Sequence, residues 1–214
     1  MNIIALPDLH EKGIQQLPLI AAQLAAVDLV LLVGDMTNDN NGIAQVIDAV
    51  KHYNPNIRAV TGNWDNEDAD QYLSALNINL TARHEVIDGI TFIGAGGALS
   101  PGAGPRLYTE EQFAANLQKA AAGVDPTLPR ILVTHQPPTG VLRIRALGSS
   151  AVREFIENTQ PILCFCGHVH QARGIENIGS TQVINPGPLY HGHYAYVKVM
   201  NGQVTALEIR NIER

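Results

Sequence analysis

Short apolar runs recur along the chain at positions 3–6, 29–33, 57–60, 90–93, 131–133 and 162–166, and each is followed by Gly, Pro or Thr. Their length and their bounding turn residues mark them as strands. Between several of them the apolar spacing changes to three and four. Ile14, Leu17, Ala21 and Leu24 predict a first helix, and Ile43, Val46, Ile47 and Val50 a second. Thr109-x-x-Gln112 has the form of a capping box and predicts a third, while a fourth starts at Ser149 with Val152, Phe155 and Ile156 inward. Strand-helix alternation implies a largely parallel sheet through the first two thirds of the chain. After Gly174 only short runs remain, at 182–184, 194–200 and 203–209, the last two joined at Asn201-Gly202, a strong hairpin signal. The expectation is an α/β fold with a β-rich C-terminal part, in a single domain spanning 1–214, since 214 residues suit one large domain.

Composition narrows the partners. Twenty Asp and Glu against fourteen Lys and Arg leave a net charge of −6, so no global basic field exists to hold long nucleic acid or an anionic membrane. Charged residues make up 16%, against about 25% in ordinary domains, which leaves much of the chain for a core. The longest apolar stretch, 17–33, is broken by Gln23 and Asp28, and the first residues show neither a basic region nor a cleavage signal. Cys164 and Cys166 lie two apart on one strand, too far for easy bridging. A cytoplasmic protein with reduced thiols is expected.

The chemistry lies at the ends of the runs. Asp8-Leu9-His10 follows the first run and Gly34-Asp35 the second, and each alone is weak, with about 0.4 and 0.9 chance occurrences in this composition. Gly62-Asn63-Trp64-Asp65 and Gly167-His168-Val169-His170 are more informative, at about 0.07 and 0.03. His135, after the run 131–133, adds another strand-end group. Two carboxylates, one amide oxygen and four imidazoles form a mixed oxygen and nitrogen environment suited to Mn, Fe, Zn, Co or Ni, with magnesium disfavoured. Seven groups are too many for one ion that keeps an open position, but they fit two ions about 3.5 to 4 Å apart that share a carboxylate. Such a pair clamps a phosphoryl group, generates a hydroxide near neutral pH and neutralises charge during in-line displacement at phosphorus.

In this order, D-x-H, G-D, G-N-x-D, T-H-x-P-P at 134–138 and G-H-x-H resemble the calcineurin-like metallophosphoesterase superfamily, and Asn185-Pro186-Gly187-Pro188 before a Tyr-rich strand resembles its small prokaryotic phosphoesterase branch. The resemblance implies that Asp8, His10 and His170 hold a first metal, that Asn63, His135 and His168 hold a second, and that Asp35 bridges them. It also implies a four-layer α/β/β/α sandwich of two mixed sheets flanked by helices. One departure stands out: much of the superfamily has a leaving-group-protonating His at the third position of G-N-x-D, and this chain has Trp64. Indole donates a hydrogen bond but no proton near neutral pH. Asn63, Asp65 and His191 are the catalytic candidates, Asp65 as orienter of a ligand or cap of the next turn, and His191 on a loop that could return to the leaving group. Arg143, Arg145 and Arg153 form a basic cluster better read as surface. The glycine-rich stretch 94–105 reads as a loop, with a substrate-covering lid as the minor alternative. A small phosphoester, most readily a diester, is the expected substrate, and self-association is left open. The rival readings are a protein-binding scaffold of the same fold, which would have no reason to retain all seven ligand types, and a nuclease acting on short oligonucleotides.

Overall fold

The structure is a computed structural model that describes residues 1–38, 42–142 and 147–212. In chain order the elements begin with β1 (Asn2–Leu6), a 3-10 helix (Lys12–Ile20), α1 (Ala21–Ala25), β2 (Leu29–Val33), α2 (Ile43–Lys51), β3 (Ile57–Val60) and α3 (Glu67–Ala75). They continue with β4 (Arg83–Ile87), β5 (Ile90–Ala95), β6 (Ala98–Leu99), β7 (Leu107–Tyr108), α4 (Glu110–Ala121), β8 (Arg130–Thr134) and α5 (Ser150–Thr159). The last are β9 (Leu163–Phe165), β10 (Gly174–Ile178), β11 (Thr181–Asn185), a 3-10 turn (Leu189–His191), β12 (His193–Met200) and β13 (Gln203–Asn211).

Two large mixed sheets result, rather than one largely parallel sheet. The first has the order β13-β12-β1-β2-β3, with β1, β2 and β3 parallel and the C-terminal hairpin added antiparallel to β1. The second runs β10-β11-β9-β8-β5-β4, parallel in its four central strands, with antiparallel strands at both edges. Side chains alternate across a strand, and here both faces are buried. Ile3, Ala5, Leu29, Leu31 and Val33 of the first sheet meet Phe92, Ile131, Val133, Leu163 and Phe165 of the second along a dry seam. The alternate residues Ile4, Leu6, Val30 and Leu32 face Leu17, Leu24, Val46, Ile47 and Val50 on the helical side. Leu132, Cys164 and Cys166 likewise face Phe113 and Leu117 of α4 and Val152 and Ile156 of α5. The layers are therefore α/β/β/α, and helices flank both sheets. Among the described residues no helix is long and apolar enough to cross a membrane.

Local chemistry accounts for the starts and stops. Thr109 accepts the backbone N–H of Gln112 while Gln112 accepts that of Thr109, the reciprocal cap expected for α4. Ser149 caps α5 through Val152 N–H. Asn201-Gly202 connects β12 to β13 with both residues at positive φ, as a type I′ turn requires. The first helix departs from expectation: nine residues wind as a 3-10 helix before α1 takes over. Pro18 lies inside that run, and without an N–H it cannot donate the regular helix bond. Phe155 is only partly buried, whereas Ile156 is fully buried.

Both thiols lie on the helix-facing side of the second sheet and are free and buried. Burial pushes the Cys164 thiol up to about 12, and burial, with Cys164 beside it, holds Cys166 well above its ordinary value. Neither thiol should react with an aromatic disulfide reagent in the native protein over hours, and both should react at once in denaturant. Thiol titration checks this, and rapid native labelling would contradict the strand placement.

Candidate metal centre

β1, β2, β3, β8 and β9 all end on one side of the molecule, and the loops that follow them carry all seven expected ligands. Those loops are joined through their backbones. Asp8 and His10 donate N–H to the carbonyls of Gly34 and Asp35, Glu11 donates to Met36, and Gly167 donates to His135. The turns out of the strands are sharp, and Asp8, His10, Asp35 and His168 all adopt left-handed backbone, with φ of 51°, 47°, 49° and 64°. That region is uncommon for residues other than glycine and persists where surrounding contacts over-determine it, most often at functional sites.

The side chains gather into two groups. Asp8, His10 and His170 offer ligand atoms all within 4.8 Å of one another, and so do Asp35, His135 and His168. Each group takes residues from both sheets. His170 Nε2 lies 3.3 Å from Asp8 Oδ1. Asp35 reaches both groups, with Oδ2 at 3.2 Å from His135 Nε2 and 3.8 Å from His10 Nε2. Asn63 Oδ1 is 3.1 Å from His135 Nε2, while its amide nitrogen donates to Ala103 O. Three histidines are held from behind through Nδ1: His10 by Asn38 Oδ1 at 2.8 Å, His135 by Val33 O at 2.9 Å and His170 by the Tyr190 hydroxyl at 3.0 Å. An imidazole fixed by an oxygen acceptor at Nδ1 presents its Nε2 lone pair forward, which is how ligating histidines are ordinarily oriented.

The electrostatics fit the same donor set. Asp8 and Asp35 are buried, and among the described residues their ion-pair partners are histidines, with no Lys or Arg. Burial opposes charge on His135, but the adjacent Asp35 overrides it and lifts the imidazole to about 9. Burial likewise disfavours the Asp35 carboxylate, and His135 with the Trp64 backbone N–H brings it below the usual range all the same. His168 is driven down to about 4, first by burial and then by the charge on His135. Buried carboxylates facing imidazoles favour positive charge between them, and divalent cations with imidazole and carboxylate ligands suit such a donor set.

The other sequence candidates lie elsewhere. Asp65 is fully buried, and its carboxylate accepts from Met36 N, Thr37 N, Thr37 Oγ1 and Gly62 N. It ties the Asp35 loop to the Asn63 loop and does not face the open centre; burial and the Asp35 charge raise its pKa. Trp64 is 36% exposed, and its backbone N–H donates to Asp35 Oδ1. His191 is exposed and meets Tyr190 edge-on, with ring centroids 4.2 Å apart; among the described residues no hydrogen bond, ion pair or ring contact joins it to the seven. Tyr190 reaches the centre instead. The Tyr-rich stretch was the only sequence signal for it. Arg153 pairs with Glu157 on α5, and Arg143 and Arg145 lie outside the described residues. The stretch 94–105 contains β6 and approaches Asn63 at Ala103.

A family model for the calcineurin-like phosphoesterase superfamily domain matches residues 1–200. The chain belongs to the calcineurin-like phosphoesterase superfamily. An uncharacterized protein of Methanocaldococcus jannaschii, MJ1162, is 30% identical over 200 residues, covering 88% of each chain. The crystal structure of TT1561 from Thermus thermophilus superimposes with a TM-score of 0.77 at 18% identity over 99% of both chains. A dimetal phosphatase from Danio rerio superimposes with a TM-score of 0.67 at 12% identity, over 100% of this chain and 96% of that one. The superfamily comprises metal-dependent phosphoester hydrolases, and the two groups described above are this chain's candidate dimetal ligands.

Within this phosphoesterase frame, Gly62 sets the spacing between two ligand loops. A methyl group on it would overlap Asp35 Oδ1 and the Asp35 backbone nitrogen. Gly62→Ala should therefore displace Asp35 and destabilise the fold by about 1–3 kcal/mol, the usual range for overpacking. Denaturant midpoints measure this, and an unchanged midpoint would mean that the Asp35 loop is free to move.

Proposed function

We propose that this chain is a dinuclear-metal phosphodiesterase acting as one domain over its whole length. Asp8, His10 and His170 hold one divalent ion, Asn63, His135 and His168 hold the other, and Asp35 is shared. The supporting observation is the position of Asp35 Oδ2, which stands between a histidine of each group at 3.8 and 3.2 Å. Manganese, iron, zinc, nickel or cobalt suits four imidazoles beside two carboxylates and an amide oxygen. When bound, two such ions supply a hydroxide near neutral pH and neutralise charge on the phosphoryl oxygens.

The chain's own residues do the rest. Asn38, Val33 and Tyr190 hold Nδ1 of His10, His135 and His170, so their Nε2 atoms converge without a search for the right ring orientation. Asn63 spends its amide N–H on Ala103, which turns its oxygen inward. At the position where a histidine would protonate the leaving group, the Trp64 indole cannot, so departure rests on the acidity of the leaving group itself.

Two measurements test this. Metal analysis after reconstitution should find two divalent ions per chain, and Asp35→Asn should lose both, because one carboxylate charge serves the two positions. A variant retaining two tight ions would remove Asp35 from the shared role. A series of phosphodiesters graded by leaving-group pKa should show a steep fall in turnover from aryl to alkyl esters. Trp64→His should raise alkyl-ester turnover by up to about 10²-fold and leave aryl esters near wild type. A shallow dependence in the wild type would reveal another acid.

A further inference from the structure

The two candidate metal groups are not equally enclosed. The His135 side chain is fully buried, whereas that of His170 is 28% exposed. The residues holding the histidines also differ. His135 is held by a backbone carbonyl and His10 by an amide oxygen, but His170 is held by the hydroxyl of Tyr190 alone. Tyr190 does more than make that bond. Its ring meets His10 edge-on at 5.5 Å between centroids and His170 edge-on at 5.6 Å, so one side chain touches both imidazoles of the Asp8 group. The residue before it is tied to the same loop, because Leu189 N–H donates to the carbonyl of Pro7, which precedes Asp8. A cleft of about 220 Å³, lined by His10, Lys12, Asn38 and Tyr190, opens beside this group.

We infer that Tyr190 is the positioning residue of the Asp8–His10–His170 half, holding His170 through its hydroxyl and spacing His10 from His170 with its ring. The inference rests on the two-ion reading above. With Nε2 of His170 turned toward Asp8, the tautomer that ligates a cation through Nε2 carries its proton on Nδ1 and donates it to Tyr190 Oη. Removal of that acceptor frees the partly exposed ring to rotate about its side-chain bonds, and the lone pair no longer points at the ion. Among the described residues no hydrogen bond or ring contact joins Tyr190 to Asp35, His135 or His168, and in that half Val33 O holds His135 while the Trp64 backbone N–H holds Asp35. Occupancy of one position therefore depends on a side chain that ligates neither.

The test is a Mn(II) titration of metal-free wild type and Tyr190→Phe, followed by calorimetry and electron paramagnetic resonance. Phenylalanine keeps the ring contacts and removes only the acceptor. The wild type should take up two ions and give the spectrum of a spin-coupled pair. Tyr190→Phe should keep one site at wild-type affinity and weaken the other about 10- to 100-fold, the usual effect of losing the partner of a ligating histidine. At one equivalent of metal it should show the six-line spectrum of an isolated Mn(II). The thermal midpoint of the metal-free variant should equal that of the metal-free wild type. Two unaltered sites in the variant would overturn the inference while leaving the two-ion reading intact, and so would two sites weakened alike with a lowered midpoint. A wild type that takes up no Mn(II) would overturn both.

Discussion

Asp35 is a carboxylate removed from water, and the surrounding loops are arranged around satisfying it. Its Oδ1 accepts the Trp64 backbone N–H, its Oδ2 faces imidazoles of both ligand groups, and its backbone carbonyl accepts the N–H of His10. Gly62 passes so close that only a residue without a side chain fits there. Underneath, Asp65 repeats the pattern at a fully enclosed position, where four donors from three residues hold the same two loops together. Burying a charge is costly unless it is paired and hydrogen-bonded. Two acids one loop apart thus oblige the chain ends of β2 and β3 to adopt a single arrangement.

That arrangement is strained, and the core beneath it supports the strain. Four candidate ligands adopt left-handed backbone at the mouths of strands whose residues are almost all without solvent contact. Apolar packing on both faces fixes each strand end in position, and the residue that follows has no room to relax into an extended path. Local strain at a site surrounded by rigid packing is the ordinary way in which ligands are preorganised.

Much of this was legible in the residues. Runs such as 29–33 and 162–166 announce interior strands because they are short, apolar on both faces and closed by a turn residue. For the same reason they do not say which sheet each belongs to, and the division into two sheets came from the family resemblance instead. The hairpin of β4 and β5, turned by Asp88-Gly89 at positive φ, passed unnoticed because β4 is mostly polar and partly exposed. α3 escaped for a related reason: only Ala69 and Leu73 are buried, so its apolar stripe is too thin to read, although Asn66 caps it. The seven ligand candidates were readable because each stands within five residues of the end of a strand. Tyr190 was not, since its contacts with His10 and His170 depend on a loop that returns from far along the chain.

Each ligand group draws on both sheets: Asp8 and His10 follow β1 while His170 follows β9, and Asp35 follows β2 while His135 and His168 follow β8 and β9. The seam between the sheets is apolar, so its attraction is non-directional. A divalent ion in either group would act as a rivet through both layers at their strand ends. Its binding free energy would then count toward folding, about 2.7 kcal/mol for each site at a hundredfold excess over its dissociation constant. A chelator applied to such a protein would loosen the sandwich as well as silence it.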